Sequence, residues 1–451
     1  MSGRAGDSLI QHLPIVAIVF GYVWYFTRLT LDVHRGLGSS AFDLGLYDQG
    51  VWLMSRFKTP FVTLMGRNLM GDHTSFILVL LVPFYWIAPG VGVLLFAQSA
   101  FIGAGAFAVY ATARKLIGGV WLPTLLGALY LAHPAVSWTN MENFHPDCFL
   151  GLLLPLALYG AIRRRYRVFV VSAVLCLLVK EDVVLAMAPL AYWVAYKRKQ
   201  RLGLVMLAGS VVYAVIATTV IMRSLIGKPT LNAWRIPFGG PEGTLRTAVQ
   251  SPSKMDAYLQ ADQRPWYVWQ MLAPYLPAFL LAPDIALISS LVLFTNVIST
   301  FFYQHSVRYH YSLILVPSLM MASVVGISKL EGRKRHVIVA LTTIVAITSG
   351  YLWTILPGSR NVYPHSKADK PIANEVRSFA KRIPANAVVS ATHSFAPTSI
   401  TANASTCFPL RSLPVRGACT IRRARNSPSP TRSSTSSSQP TSRVTRRTGT
   451  R

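Results

Sequence analysis

Long apolar runs follow one another along most of this chain, and they constrain its fold more than any other feature. From Leu13 to Leu356 the runs are about 14 to 25 residues long, and a helix needs ~20 apolar residues to cross a bilayer. Only 13% of all residues are charged. The sequence therefore predicts an all-α polytopic membrane protein. No small-residue cleavage site follows Leu31, which predicts that the first run is a retained span.

Basic clusters predict the topology, because short cytoplasmic loops carry an excess of Lys and Arg. The clusters are Arg114 with Lys115 and the segments 163–167, 197–201 and 329–335. About 11 transmembrane helices place all of them inside: 13–31, 91–112, 120–138, 147–162, 168–179, 183–196, 203–226, 268–283, 285–304, 310–328 and 336–356. Residues 1–12 then form a cytoplasmic N-terminus, residues 13–357 form the transmembrane domain, and the C-terminus is external.

Two long external loops follow from this topology, residues 32–90 and residues 227–267. The apolar stretch 75–88 is left out of the spans and is predicted to lie in the outer interface, so the first loop carries interfacial helices. The hairpin 168–196 has about 14 residues in each arm, or roughly 21 Å of helix against a hydrocarbon core of ~30 Å. Its apex, "VKEDV", is therefore predicted to lie below the outer surface.

The chain changes character after the last span. Residues 358–395 include "IANEVRSFAKRIPANAVVSAT", an amphipathic helix followed by a β-rich run, which predicts the start of a small, truncated external α/β domain. Residues 396–451 hold ten Arg but no Lys and no acid. We interpret this aberrant Ser/Thr/Arg/Pro tail as a frameshifted end; the alternative is a genuine basic, disordered tail. Because the tail and the short loops between spans carry most of the net charge of +28, no nucleic-acid partner is predicted.

The first external loop contains "SAFDLGLYDQG", with two carboxylates near the membrane surface. A helix is predicted over residues 42–57, on which Asp43 and Tyr47 share a face. Asp48 lies about 140° away from Asp43 on such a helix and is not predicted to be its partner. The alternative is structural, with Asp43 as an N-cap and Asp48 as a solvated charge.

Two further segments bear side chains of acid/base or metal-ligand type. Asp72 and His73 end the first external loop, where Asp72 either caps a helix or adds an acceptor to a site with Asp43. The outer turn "NMENFHPDCF" adds three more candidates: Glu142, His145 and Asp147. Their spacing matches no recognised metal motif, and the sequence does not determine whether the protein requires a divalent cation.

Cationic groups on the outer side are candidates for binding phosphate. Lys180, Glu181 and Asp182 complement helix dipoles, but ionisable groups below the membrane surface usually line a cavity. Lys180 and Arg308 are the predicted phosphate-binding residues, with His310 close to Arg308 in sequence. No P-loop, Rossmann glycine pattern, HExxH or nucleophile elbow is apparent.

Six segments of the chain together resemble an uncharacterised family of bacterial multi-span membrane proteins, known only as a domain of unknown function. They are "FDLGLYDQ", "GDHTSFILVLLVPFYW", "ENFHPD", "VKED", "RYHYSLILVP" and "IPANAVVSAT". That family looks like the C-type glycosyltransferase superfamily, whose members use lipid-phosphate sugar donors. By position, Asp43 matches the acid of the superfamily's first external loop, the Glu142–Asp147 segment its second acidic turn, and Lys180 its later Lys-containing turn. Glu181 departs from the pattern, since a glycine is common there.

The resemblance implies a bacterial plasma-membrane glycosyltransferase that moves a sugar from a polyprenyl-phosphate donor to a glycan, lipid or protein acceptor outside the membrane. Asp43 would act as the general base, and Lys180 and Arg308 would stabilise the departing phosphate. Tyr47, Asp48, Glu181, Asp182 and His310 would support them. The alternative is a transporter or lipid flippase with Lys180, Glu181 and Asp182 as its coupling site, which dependence on a proton gradient would reveal.

Overall fold

The computed structural model describes residues 10–227, 232–363, 370–382, 388–390 and 404–406. Within them the chain is mostly helical, with two small two-stranded sheets. The first ten helices are α1 Leu13–Arg35, α2 Leu46–Ser55, α3 Leu69–Asp72, α4 Val82–Ile87, α5 Val91–Leu116, α6 Trp121–Leu131, α7 Pro134–Met141, α8 Leu150–Ile162, α9 Tyr166–Leu177 and α10 Val184–Lys197. The next ten are α11 Arg201–Ile216, α12 Met222–Ile226, α13 Pro241–Gln250, α14 Pro252–Gln260, α15 Arg264–Leu272, α16 Pro283–Ala286, α17 Ser290–Ile298, α18 Val316–Ser328, α19 Gly332–Trp353 and α20 Lys370–Ala380.

Short 3-10 and π turns extend or join many of these helices. Five helices of the described residues are long and apolar enough to cross a membrane: Leu13–Arg35, Val91–Leu116, Arg201–Ile226, His310–Ser328 and Gly332–Trp353. Five shorter apolar helices accompany them: Phe76–Ile87, Trp121–Leu131, Pro146–Ile162, Tyr166–Leu177 and Pro283–Ile298. These helices are what a polytopic membrane protein requires, while the number of eleven spans stays a prediction.

Three predicted spans are not continuous helices. The span 120–138 breaks between α6 and α7, where the ring of His133 accepts the Ala135 N–H at 3.2 Å and caps α7. The spans 268–283 and 285–304 are divided into α-helical and 3-10 pieces. Pro274, Pro277 and Pro283 lie at these breaks, and a proline ring lacks the N–H that a continuing helix needs.

Helix α5 lies at the centre of the packing, in contact with α1, α6, α8 and α18. Small residues allow this close approach. A Cβ added to Gly105 would lie 2.0 Å from the carbonyl oxygen of Gly151, at the contact between α5 and α8. Tyr130 of α6 is fully buried and donates its hydroxyl hydrogen to the same carbonyl at 2.8 Å. The tight packing fixes the ends of these helices, from which the loops of the candidate site emerge.

The first predicted external loop has internal structure. It contains α2, α3 and α4 together with the hairpin of β1 Phe61–Val62 and β2 Arg67–Asn68. The second predicted loop contains α13 and α14. After α19, helix α20 precedes β3 Val388–Ser390, which pairs in parallel with β4 Ala404–Thr406. Most of the predicted tail, residues 396–451, lies outside the described residues, and its interpretation is not tested.

Candidate functional site

Three loops and one helix start converge at the candidate site. They are the turn Ala41–Gly45 before α2, the segment 142–149 between α7 and α8, the turn 178–183 between α9 and α10, and the 3-10 turn His310–Leu315 that leads into α18. The turn His310–Leu315 packs against both α7 and the turn Pro146–Phe149. Ionisable side chains that are far apart in sequence are thereby brought into contact.

Asp43 lies in a strained turn rather than in a helix. Its φ of 67° and ψ of −86° are not helical, and α2 begins only at Leu46. The predicted helix over residues 42–57 is therefore wrong at its start, and Asp43 shares no helical face with Tyr47. A positive φ costs free energy in any residue but glycine and often accompanies a functional constraint. In this conformation the Asp43 carboxylate contacts His145, with Oδ1 3.3 Å from Nε2.

The charge state of Asp43 follows from its neighbours. Burial would by itself raise its pKa, but His145, His310 and Lys180 outweigh burial, so the pKa of Asp43 is below its ordinary value. Its side chain keeps 28% of its surface exposed. Tyr47, predicted to support the site, is buried and packs edge-on against the ring of His145 at 6.0 Å.

A second carboxylate and imidazole pair lies against the first. The rings of His145 and His310 are stacked, with centroids 3.7 Å apart and planes 21° apart. Glu142 contacts His310 twice, accepting its backbone N–H and lying 3.1 Å from its Nδ1. Burial raises the pKa of Glu142 to about 7. His310 was predicted as a supporting residue, and the structure places it at the centre of the cluster.

The same cluster contains the donors for a metal ion. One ligand atom from each of Glu142, His145 and His310 lies within 4.8 Å of the others, and two imidazoles with a carboxylate are a known zinc donor set. Nδ1 of His145 is buried and makes no hydrogen bond to the described residues. However, imidazole lone pairs lie in the ring plane, so stacked rings cannot both point at one ion. Metal binding at this donor set therefore requires one ring to turn.

Lys180 and Asp147 form a buried ion pair beside this cluster. Nζ of Lys180 lies 2.8 Å from Oδ2 of Asp147, and the two side chains are only 3% and 10% exposed. Lys180 also lies over the ring of Tyr311, 5.7 Å from its centroid. Asp147 is thus paired with a cation and is absent from the compact donor set.

Lys180 and Glu181 have different ion-pair partners, although the charges of Lys180, Glu181 and Asp182 influence one another. Glu181 contacts His73 at 2.7 Å and accepts the backbone N–H of Thr74 at 3.1 Å. Burial would raise the pKa of Glu181, but the contact with His73 lowers it to about 2. Asp182 is exposed. The turn 178–183 is therefore connected to the first predicted external loop by the contact of Glu181 with His73, and to the segment 142–149 by the Lys180–Asp147 ion pair.

Two predicted carboxylates have other partners. Asp72 pairs with Arg67 at 3.2 Å, and the structure shows no contact between Asp72 and Asp43. Asp48 was given the alternative of a solvated charge, and that is wrong, because Asp48 is 2% exposed and accepts the Tyr85 hydroxyl at 2.7 Å. Burial raises the pKa of Asp48 to about 6. Asp48 and Asp43 have separate partners, which agrees with the prediction that they are not a pair.

A cavity of about 230 Å³ adjoins the cluster and is lined by Glu142. Arg308 lines it as well and lies over the ring of Trp138 at 5.1 Å, in surroundings different from those of Lys180. Sequence reasoning missed Trp138. It also missed Arg235, whose guanidinium lies 5.8 Å from the centroid of the same Tyr311 ring that Lys180 covers. The positive-inside bias does not single out Arg235, because the same predicted external loop also holds Lys228, Arg246, Lys254 and Arg264.

Comparisons with known proteins agree with this architecture. Residues 33–413 match the model of a family described as "Predicted membrane protein (DUF2079)". No curated protein matches the sequence significantly. The fold is similar to the crystal structure of ArnT from Cupriavidus metallidurans bound to undecaprenyl phosphate, with a TM-score of 0.50 and 12% identity over 85% of each chain. The apo structure of ArnT from the same organism gives a TM-score of 0.49 and 14% identity over 84% of each chain.

Proposed function

The chain belongs to the family of predicted membrane proteins DUF2079, and we propose that it is an integral-membrane glycosyltransferase. It moves a sugar from a polyprenyl-phosphate donor to an acceptor on the outer face of the bacterial plasma membrane. The observation that supports this most is the buried cluster of Asp43, Glu142, His145 and His310 beside the pair Lys180–Asp147. This cluster lies on a fold similar to that of ArnT, which was crystallised with undecaprenyl phosphate.

The reaction is an inverting displacement at the anomeric carbon. A hydroxyl oxygen of the acceptor attacks that carbon as the bond from the carbon to the phosphate oxygen breaks, and the electron pair of that bond leaves with the polyprenyl phosphate. Asp43 accepts the hydroxyl proton, since its lowered pKa keeps it ionised at neutral pH. His145 orients the Asp43 carboxylate through the 3.3 Å contact.

Lys180 stabilises the departing phosphate, which carries one more negative charge than the phosphodiester of the donor. Asp147 holds Lys180 in place, because the 2.8 Å contact fixes an otherwise flexible chain of four methylenes. Arg235 lies near the same Tyr311 ring and adds a second positive charge to this region. Polar groups fixed in advance in a site with little water stabilise developing charge more than solvent does.

The test compares Asp43→Asn with Asp48→Asn in the full chain reconstituted into lipid vesicles. The assay measures the release of undecaprenyl phosphate from undecaprenyl-phosphate hexoses in the presence of cell-envelope glycans. Loss of a general base should lower the rate by ~10²–10⁴-fold in Asp43→Asn, while Asp48→Asn, changed in the same loop but bonded to Tyr85, should retain activity. Full activity in Asp43→Asn would refute the assignment of the base.

The pH dependence separates Asp43 from Glu142 as the base. If Asp43 is the base, kcat measured at saturating acceptor does not fall between pH 8 and pH 5, because the pKa of Asp43 is below its ordinary value of 3.8. If Glu142 is the base, activity falls below about pH 7, where its carboxylate becomes protonated. An enzyme that neither binds undecaprenyl phosphate nor consumes its glycosides would refute the proposed function as a whole.

A further inference from the structure

The cavity beside the cluster has walls from distant parts of the chain. Its lining comes from α1, from the loop before α2, from α5, from α7 and the loop after it, from residues 308–309 and from Tyr363 beyond α19. Drug-sized ligands occupy pockets of ~300–1,000 Å³, so a cavity of about 230 Å³ suits something smaller. One sugar ring is a ligand of suitable size.

The lining combines aromatic faces with hydrogen-bonding groups. Trp138 and Tyr363 stand with ring centroids 6.4 Å apart, and Tyr309 adds a third ring. Glu142 and Asn143 supply polar atoms. A sugar ring has C–H groups on its faces and hydroxyl groups at its edge, so it is complementary to such a mixture of rings and polar side chains.

One cation in the cavity has no anionic partner. Arg308 is exposed and lies over Trp138, and within the described part of the chain its guanidinium makes no ion pair. A guanidinium presents a planar fork that fits carboxylate and phosphate oxygens. The other charged residue of the lining, Glu142, already contacts His310. An anionic ligand in this cavity would therefore meet a guanidinium that no described carboxylate already pairs with.

The cavity also adjoins the predicted base. Leu44, which follows Asp43 in the chain, is part of the lining, and Glu142 belongs to both the cavity and the cluster. A ring held between Arg308 and Glu142 would present a hydroxyl to the cluster. Building on the proposed function, we propose that this cavity is the acceptor site and that it binds a sugar carrying a carboxylate or phosphate, with Arg308 as the residue that recognises the anion.

The experiment measures binding of three small probes to the full chain in lipid nanodiscs by equilibrium dialysis: glucuronate, glucose 1-phosphate and glucose. Glucuronate, glucose 1-phosphate or both should bind about tenfold more tightly than glucose, since a charge-assisted hydrogen bond contributes this much. Arg308→Gln should remove that preference without weakening glucose binding. Arg360→Gln, an exposed arginine outside the lining, should leave it intact.

Equal binding of glucose and both anionic probes, or an unchanged preference in Arg308→Gln, would overturn the proposal. Undecaprenyl phosphate provides the separate readout for the donor. Its failure to bind would refute the proposed function and leave the result for the acceptor sugar standing. If undecaprenyl phosphate displaces glucuronate, and Arg308→Gln weakens both, Arg308 belongs to the donor phosphate site and the acceptor assignment is wrong.

Discussion

The buried pair Lys180–Asp147 allows the structural and chemical roles of Lys180 to be separated. At 2.8 Å the attraction between unit charges is about 6 kcal/mol at an effective dielectric constant of ~20. Much of this offsets the desolvation of two side chains that are only 3% and 10% exposed. Removing one partner leaves the other charge buried alone, so Lys180→Met and Asp147→Asn should each lower the free energy of unfolding, Lys180→Met by about 3–5 kcal/mol.

The double variant Lys180→Met/Asp147→Leu completes the test, because replacing both charges by apolar groups is often close to neutral. Thermal denaturation in detergent, followed by tryptophan fluorescence, should place the double variant near the wild type and Lys180→Met far below it. If Lys180 also binds the donor phosphate, the double variant should be stable yet unable to bind undecaprenyl phosphate. A stable Lys180→Met single variant would refute the ion pair, and wild-type binding by the double variant would refute the phosphate role.

Two further predictions concern Asp48 and Gly105. The raised pKa of Asp48, from 3.8 to about 6, means that the folded state binds the proton more tightly, so stability falls as pH rises from about 4 to about 6. Asp48→Asn removes that loss, so its free energy of unfolding should exceed that of the wild type by about 3 kcal/mol at pH 7 but equal it at pH 3. Gly105→Ala should destabilise the protein by ~1–3 kcal/mol because its Cβ would overlap the Gly151 carbonyl. Gly92→Ala on the same helix, where nothing lies closer than 3.9 Å, should be neutral or stabilising by up to ~1 kcal/mol, as thermal denaturation of both would show.

The sequence was informative about which segments meet. Apolar runs and basic clusters placed the loops of Asp43, Glu142, Lys180 and His310 on one predicted side of the membrane. The structure brings these four residues into one region, as loops at the same end of packed helices must be. The structure bears out apolar length, a pattern to which many residues contribute together, while the side of the membrane inferred from the Lys and Arg bias stays a prediction.

The sequence could not predict which residues contact one another within that region. The turn at Asp43 depends on a positive φ. The sequence does not indicate this φ, because the neighbouring residues Phe42 and Leu44 are compatible with a continuous helix. Asp48 is buried and accepts a hydrogen bond from Tyr85, which is 37 residues away. The stack of His145 on His310 joins segments 165 positions apart. Such pairs are set by tertiary packing, which neither helical periodicity nor local spacing encodes.

The different surroundings of Asp43 and Glu142 favour distinct roles for two chemically equivalent carboxylates. Both contact an imidazole, yet the pKa of Asp43 is lowered and that of Glu142 is raised to about 7. Two neighbouring carboxylates whose pKa values are shifted in opposite directions often serve as the acid and the base of a reaction. A phosphate leaves without being protonated, so the proposed transfer needs only a base. In an oxocarbenium-like transition state the acceptor proton leaves late, so ionisation and position matter more than base strength. Asp43 meets both conditions, whereas Glu142, half protonated near neutral pH, is suited to hold a sugar hydroxyl by a hydrogen bond.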